Sequence, residues 1–300
     1  MAESPAHQFG QMIGDVLEAA IEPILQSFAT KYGLYLDKKG LRPARPGNKV
    51  SWTDGKENKH DLDFVLERGG TAAKKGIPVA FIETAWRRYT KHSRNKAQEI
   101  QGAIIPLIEK HKNHCPFIGV VLAGVFTDGA LSQLRSLGFT VAYFPYTTII
   151  KAFSVVGIDA SSDEQTPDDE FAEKMRRWNA LKPADKAKLY KTLIDLNEGE
   201  MKLFFGNLVK MVNRQIKSVR ILPLHGAPVE WANIEDAIKF IADYREESTD
   251  KALLRYEVQI VYVNGDRISG EFGAKQDAID FLKTYQTACK TDSEAVGGKS

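Results

Sequence analysis

The residues in this 300-residue chain best suited to chemistry lie between His60 and Ile108. Asp61 and Asp63 sit in an alternating acidic and apolar stretch, Asp61-Leu62-Asp63-Phe64-Val65-Leu66, which has the period of a half-buried strand. Twenty residues past Asp63, the apolar run Pro78-Val79-Ala80-Phe81-Ile82 ends in Glu83. Two carboxylates at the ends of neighbouring strands supply oxygen donors for a hard divalent cation, most often Mg²⁺. Arg87, Arg88, Lys91, Arg94 and Lys96 follow with no acid among them, and such a block attracts phosphate. A cation held by carboxylates beside a phosphate suits phosphodiester hydrolysis. Asp63 is the first candidate metal ligand, because the apolar run begins directly after it. Glu83 is the second candidate and Asp61 the alternative.

The elements needed to position these groups are legible in the same stretch. Arg68-Gly69-Gly70 closes the first strand, and Pro78 to Ile82 is the continuous apolar run of a strand inside a sheet. Ile100, Ile104 and Leu107 then recur at helical spacing, which turns Gln98 and Glu99 partly away from the core. Gln98 and Glu99 are therefore candidates to orient water or a second ion, and Lys91 or Lys96 to stabilise charge at phosphorus.

With Asp63 before its hydrophobics, an apolar strand ending in Glu83 and a helix carrying Gln98-Glu99, the first half of the chain resembles the PD-(D/E)xK nuclease superfamily, the fold of many type II restriction endonucleases. The resemblance implies a mixed sheet flanked by helices and a Mg²⁺-dependent, homodimeric enzyme that cuts double-stranded DNA at a specific site and leaves 5′-phosphates. The family pattern has Lys two places after the Glu, where this chain has Ala85. Three explanations fit: the lysine has moved to the following loop or helix, the site is inactive, or Ala85 is an engineered replacement. A non-catalytic DNA-binding protein, and a nuclease for branched DNA or RNA, are the alternative functions.

Composition bounds these readings. Hydrophobic residues make up 43% and charged residues 27%, ordinary for a soluble globular protein, and the alternating strand and helix patterns predict an α/β fold. The formal net charge is only +2, so nucleic-acid binding has to rest on local patches. Besides Arg87, Arg88 and Arg94, the turn-rich stretch from Lys38 to Lys49 offers Lys38, Lys39, Arg42, Arg45 and Lys49 as phosphate contacts. Cys115 and Cys289 have neither a disulfide framework nor metal-ligand spacing, which together with a polar N-terminus and no membrane-length apolar run predicts a cytoplasmic protein. His111, His114 and Cys115 lack a second half for a zinc site, and no phosphate-binding glycine loop or dinucleotide fingerprint occurs.

The remaining chain divides into further elements. Gln8 to Tyr32 has helical spacing that Pro23 should kink or split, and Val50-Ser51-Trp52 is expected to be the first strand of the sheet. Phe117 to Ala123, Gly129 to Leu137 and Phe139 to Phe144 form a strand, helix and strand with parallel pairing. The acidic stretch Ala160 to Glu170 is expected to be a linker, dividing a nuclease core at 1–160 from an accessory domain at 161–300. That second part starts with three helices, Asp169 to Leu181, Pro183 to Leu196 and Glu198 to Val212. An internal repeat follows, in which Val219-Arg220-Ile221 answers Val258-Gln259-Ile260 and Asp236 to Tyr244 answers Asp277 to Tyr285. Each copy has the order strand, turn, strand, helix, and the two are expected to pair into a four-stranded sheet backed by two helices, for DNA binding or dimerisation.

Overall fold

A computed structural model describes residues 4–90, 93–114, 116–246 and 253–294. The described residues fall into two compact units, the first made of residues before 112 and from 116 to 212, the second of 112–114 and the residues after 212. Among the described residues no helix is long and apolar enough to cross a membrane.

The first unit opens with a helix, α1 (Pro5–Lys31). Ser4 caps it by accepting the His7 N–H at 3.2 Å, and Pro5 takes the first turn, where its missing N–H costs nothing. Pro23 does not split this helix as its type suggests. It lies on the exposed side, and the stripe from Phe9 to Ala29 stays buried on both sides of it. Each large apolar side chain so buried contributes roughly 1.5–3 kcal/mol, which together outweighs the ~3 kcal/mol cost of an interior proline.

Behind α1 stands a five-stranded mixed sheet. Its strands are β1 (Leu34–Lys38), β4 (Phe64–Arg68), β5 (Ile77–Arg87), β6 (Phe117–Gly124) and β7 (Thr140–Pro145), adjacent in that order. β1, β4 and β5 are antiparallel, whereas β5, β6 and β7 are parallel. The parallel pairs need crossovers, supplied by α2 (Ser93–Lys110) and α3 (Asp128–Ser136). The sheet thus separates two apolar layers. Ile82 and Trp86 pack with α1, while Phe81 and Ala85 pack with Ala97 and Ile100 of α2.

Val50 to Trp52 is not the first strand of that sheet. β2 (Val50–Thr53) pairs only with β3 (Lys59–Leu62), in a separate two-stranded ribbon. The edge position belongs to β1, whose Asp37 is buried against arginines and so lacks the apolar run that marks a strand in sequence.

The boundary expected near residue 160 lies instead beyond Val212. After α4 (Tyr146–Ser154), the helices α5 (Asp168–Ala180), α6 (Pro183–Leu196) and α7 (Glu198–Val212) all pack into the first unit. Phe171 of α5 meets Phe9 at a ring distance of 5.8 Å, and Phe204 of α7 meets Phe117 at 5.4 Å. The acidic stretch before α5 is not a free linker either, since Tyr89 donates to the Asp163 carbonyl and Lys174 to that of Ser161.

The second unit contains the repeat. β8 (Ile216–Pro223), β9 (Val229–Trp231), β10 (Tyr256–Tyr262) and β11 (Arg267–Phe272) form an antiparallel sheet in the order β11-β10-β8-β9. Val219, Ile221, Val258 and Ile260 bury against α8 (Ile234–Asp243) and α9 (Lys275–Glu294). This is the paired four-stranded sheet with two helices that the repeat predicts.

Candidate active site

Asp63 occupies the one-residue break between β3 and β4, where the expected single strand Asp61–Leu66 is interrupted. The β4–β5 register pairs Phe64 with Ile82, which sets Asp63 opposite Glu83. The Asp63 N–H donates to Glu83 Oε1 at 3.2 Å. In return, the Thr84 N–H and hydroxyl both donate to Asp63 Oδ2, at 2.7 and 2.8 Å. Each carboxylate is thereby oriented by the other's segment. Asp63 Oδ1 and Glu83 Oε2 are the oxygens left to act on something else.

Burial sets the charge here. Glu83 is 7% exposed, and desolvation together with the nearby Asp63 charge pushes its carboxyl well above the usual carboxylate range. The charge of Lys96, which lines the same cavity and pairs with Glu99 at 3.3 Å, opposes that shift. Two acids forced together in a buried place favour an added cation, and an all-oxygen pair suits a hard divalent ion such as Mg²⁺. Among the described residues no cluster of three or more His, Cys, Asp or Glu side chains forms a metal site, so this pair would hold an ion with backbone, solvent or ligand oxygens completing the shell.

The carboxylates open into a cavity of about 520 Å³ walled by both helices. From α1 come His7, Gly10, Gln11, Gly14 and Glu18, spaced as one helical face. Glu18 is a site residue that sequence reasoning missed. Burial, then the charge of Asp63, pushes its carboxyl up to about 7. The available signal was an acid set between the buried pairs Val16-Leu17 and Ala20-Ile21. Thr84 was missed too, because only the folded register reveals its hold on Asp63.

Ala85 lines the same cavity, two places after Glu83 and so on the same sheet face. No lysine extends from that position, and Lys96 lines the cavity from α2. Lys91 lies outside the described residues.

The other expected site residues distribute unevenly. Glu99 pairs with Lys96 at 3.3 Å and Arg87 at 3.6 Å, on a 60% exposed side chain, and Gln98 is exposed outside the cavity lining. Asp61 is not joined to the carboxylate pair. It sits on the β2–β3 ribbon, bonded to Lys49 at 2.8 Å and Ser51 at 2.5 Å, because the break at Asp63 turns that ribbon out of the main sheet. Lys49 is thus engaged by Asp61, and Lys38 is paired with Glu22.

Arg42 and Arg45, expected to contact phosphate, are buried instead. Arg42 forks onto Glu67 at 2.5 and 3.0 Å and reaches Asp37 at 2.8 Å. Arg45 holds Asp37 at 3.1 Å and the carbonyls of Lys38 and Gly47. Glycine- and proline-rich sequence around them predicts exposure, but two buried acids on β1 and β4 draw both guanidiniums inward. Of the remaining cations, Arg94 and Lys39 are exposed. Arg87 lines the cavity, and Arg88 does so while stacking 4.7 Å from the Phe171 ring.

No family model matches the chain, and no curated protein matches its sequence. A solved structure described as that of a protein of unknown function, AF1548, aligns with 64% of this chain and 99% of its own at 10% identity. The TM-score of 0.28 is too low for that likeness to bear on fold or function.

Proposed function

We propose that the first unit is a Mg²⁺-dependent endonuclease of the restriction-endonuclease type, hydrolysing phosphodiester bonds of double-stranded DNA at a specific sequence and leaving 5′-phosphates. The observation that carries this reading is the reciprocal hydrogen bonding of Asp63 and Glu83 at a cavity that Lys96 also lines. Asp63 and Glu83 would hold the cation, which would supply a Lewis acid and a nucleophile at neutral pH. Thr84 fixes the Asp63 carboxylate so that its other oxygen keeps a constant direction. Lys96 brings a positive charge to the place where negative charge builds on phosphorus, a form of electrostatic stabilisation. Arg87, Arg88, Arg94 and Lys39 are the cations available for the phosphate backbone, and a homodimer in the cytoplasm would present two such sites to a duplex.

Ala85 favours a second reading, a DNA-binding protein that kept the arrangement and lost catalysis. Lys96 weighs against it, since the helix brings a cation to the cavity that Glu83 lines. The deciding assay incubates supercoiled plasmid of mixed sequence with Mg²⁺ or with chelator and sequences the ends. Discrete cuts with 5′-phosphates that appear only with Mg²⁺ support the endonuclease. Binding without any cleavage across divalent ions supports the inactive reading.

A further inference from the structure

Arg87, Arg88 and Lys96 all line the carboxylate cavity, but they are not equivalent. Arg87 and Lys96 share Glu99, at 3.6 and 3.3 Å. Arg88 has no acid partner among the described residues. Its Nη1 donates to the hydroxyl of Ser162 at 3.3 Å, a neutral group. Asp163, the acid beside Ser162, bonds within its own turn instead, its Oδ1 accepting from the Gln165 N–H at 2.9 Å and the Thr166 hydroxyl at 3.0 Å. Arg88 is nevertheless half-buried, so a charge is kept partly out of water without a counter-charge, which is unfavourable by itself.

Rings hold it in place. The Arg88 Cζ lies 4.8 Å from the centre of the Tyr89 ring and 4.7 Å from that of Phe171. Both rings are fixed in turn. Tyr89 donates to the Asp163 carbonyl at 2.9 Å, and Phe171, only 1% exposed, packs on Phe9 of α1 at 5.8 Å. Stacking fixes the plane of a guanidinium and leaves its edge, where the N–H donors lie, to bond something else. An oriented guanidinium with donors to spare is complementary to a phosphate, which it can take through two parallel hydrogen bonds. Glu83 and Arg87 are four residues apart on β5, roughly 13 Å at the rise of a strand, and Arg88 follows Arg87. The phosphate that Arg88 would hold is therefore not the one at the carboxylates.

We propose that Arg88 anchors a non-scissile phosphate of the substrate strand, with Tyr89 and Phe171 as the positioning residues that set its guanidinium. This rests on the nuclease reading of the cavity and narrows it, by giving the chain a second phosphate subsite apart from Asp63 and Glu83. A contact to a group that does not react is made equally in the ground and transition states, so it acts on KM and not on kcat.

The test has two arms, both on the full-length protein. In chelator, the affinity for a labelled short duplex of mixed sequence is followed against salt by anisotropy. Arg88→Met keeps a stem against the rings and should reduce the salt slope by about one, as losing one phosphate contact does. Ser162→Asp gives Arg88 the counter-charge it lacks and should reduce the slope equally with Arg88 intact. Arg88→Lys keeps the charge and the slope but loses the flat fork, and should weaken binding severalfold. In Mg²⁺, plasmid cleavage by Arg88→Met should show KM raised about tenfold with kcat within about twofold of wild type. A slope unchanged by Arg88→Met or by Ser162→Asp overturns the proposal, and full affinity in Arg88→Lys overturns the part played by the rings. A fall in kcat at unchanged KM also overturns it, by moving Arg88 to the reacting phosphate. Wild type that binds the duplex and never cuts removes the nuclease reading alone, and the slopes then still support or overturn Arg88 as a phosphate anchor. Wild type that does not bind the duplex overturns both.

Discussion

Asp63 and Glu83 face each other across the antiparallel pairing of two strands, with the Asp63 N–H on Glu83 Oε1 at 3.2 Å and Thr84 returning two hydrogen bonds to Asp63 Oδ2. The relationship exists because the chain breaks its strand at Asp63, which takes that N–H out of the ladder and lends it to a side chain. A buried acid beside a second acid is unfavourable by itself. Its persistence at the mouth of a cavity lined by Lys96 and Glu18 is the physical reason to regard the pair as a site.

The first prediction concerns Lys96 and the methyl of Ala85. If the α2 ammonium serves the carboxylates, Lys96→Ala should lower the cleavage rate by about 10²-fold, the range for losing one electrostatic stabiliser. Ala85→Lys on the Lys96→Ala background should recover part of the rate, because that position shares the face of Glu83. Single-turnover rates of the four combinations decide it. A Lys96→Ala enzyme that cuts at full speed removes the residue from the mechanism.

The second follows from Glu18, whose carboxyl is pushed up to about 7 by burial and the charge of Asp63. In the unfolded chain it titrates near the ordinary value of 4.5. Between those two pH values the folded protein keeps a proton that the unfolded chain has lost, so stability falls as pH rises and levels off above about 7. Glu18→Gln cannot lose that proton. Its Tm should therefore exceed that of wild type by more at pH 8 than at pH 5, and added Mg²⁺ should narrow the gap at pH 8 by stabilising wild type. A gap that does not change with pH contradicts the assignment.

The third separates structural arginines from phosphate contacts. Arg42 and Glu67 are buried and bidentate, so removing one partner strands a charge. Arg42→Ala should cost on the order of 3–5 kcal/mol in urea unfolding. The salt dependence of DNA binding by the fraction that folds should be unchanged. A stable Arg42→Ala protein with a flatter salt slope would return this residue to the DNA surface.

How much of this was legible in the sequence differs by element, for physical reasons. The Pro78–Ile82 run was plain, since a strand buried on both faces is apolar throughout. Glu83 does not end that strand: β5 runs on to Arg87 and stays buried through Trp86, because Glu83 is oriented inside the sheet by its hydrogen bond from Asp63 and does not mark an exit from the core. The repeat also predicted its own sheet, because two copies with matching alternation bury each other. Arg42, Arg45 and Asp61 were not legible. Whether a charged side chain turns inward depends on partners distant in the chain, and neither Glu67 nor the ribbon's departure at Asp63 shows in the local pattern. The boundary near residue 160 failed for a similar reason, because polar composition does not reveal that Phe171 will pack on Phe9. Glu18 was hidden by the regular apolar stripe of α1 around it.

The central claim is that Asp63 and Glu83 serve chemistry and not affinity. Asp63→Asn and Glu83→Gln keep the shape and remove the charge, while the phosphate contacts that dominate binding are made by other residues. The measurement pairs plasmid digestion in Mg²⁺ with gel shift in chelator for wild type and both variants. The account predicts that wild type cuts, that neither variant cuts, and that both bind DNA at least as well as wild type. Cleavage by either variant at the wild-type rate, or loss of binding equal to the loss of cleavage, would contradict it.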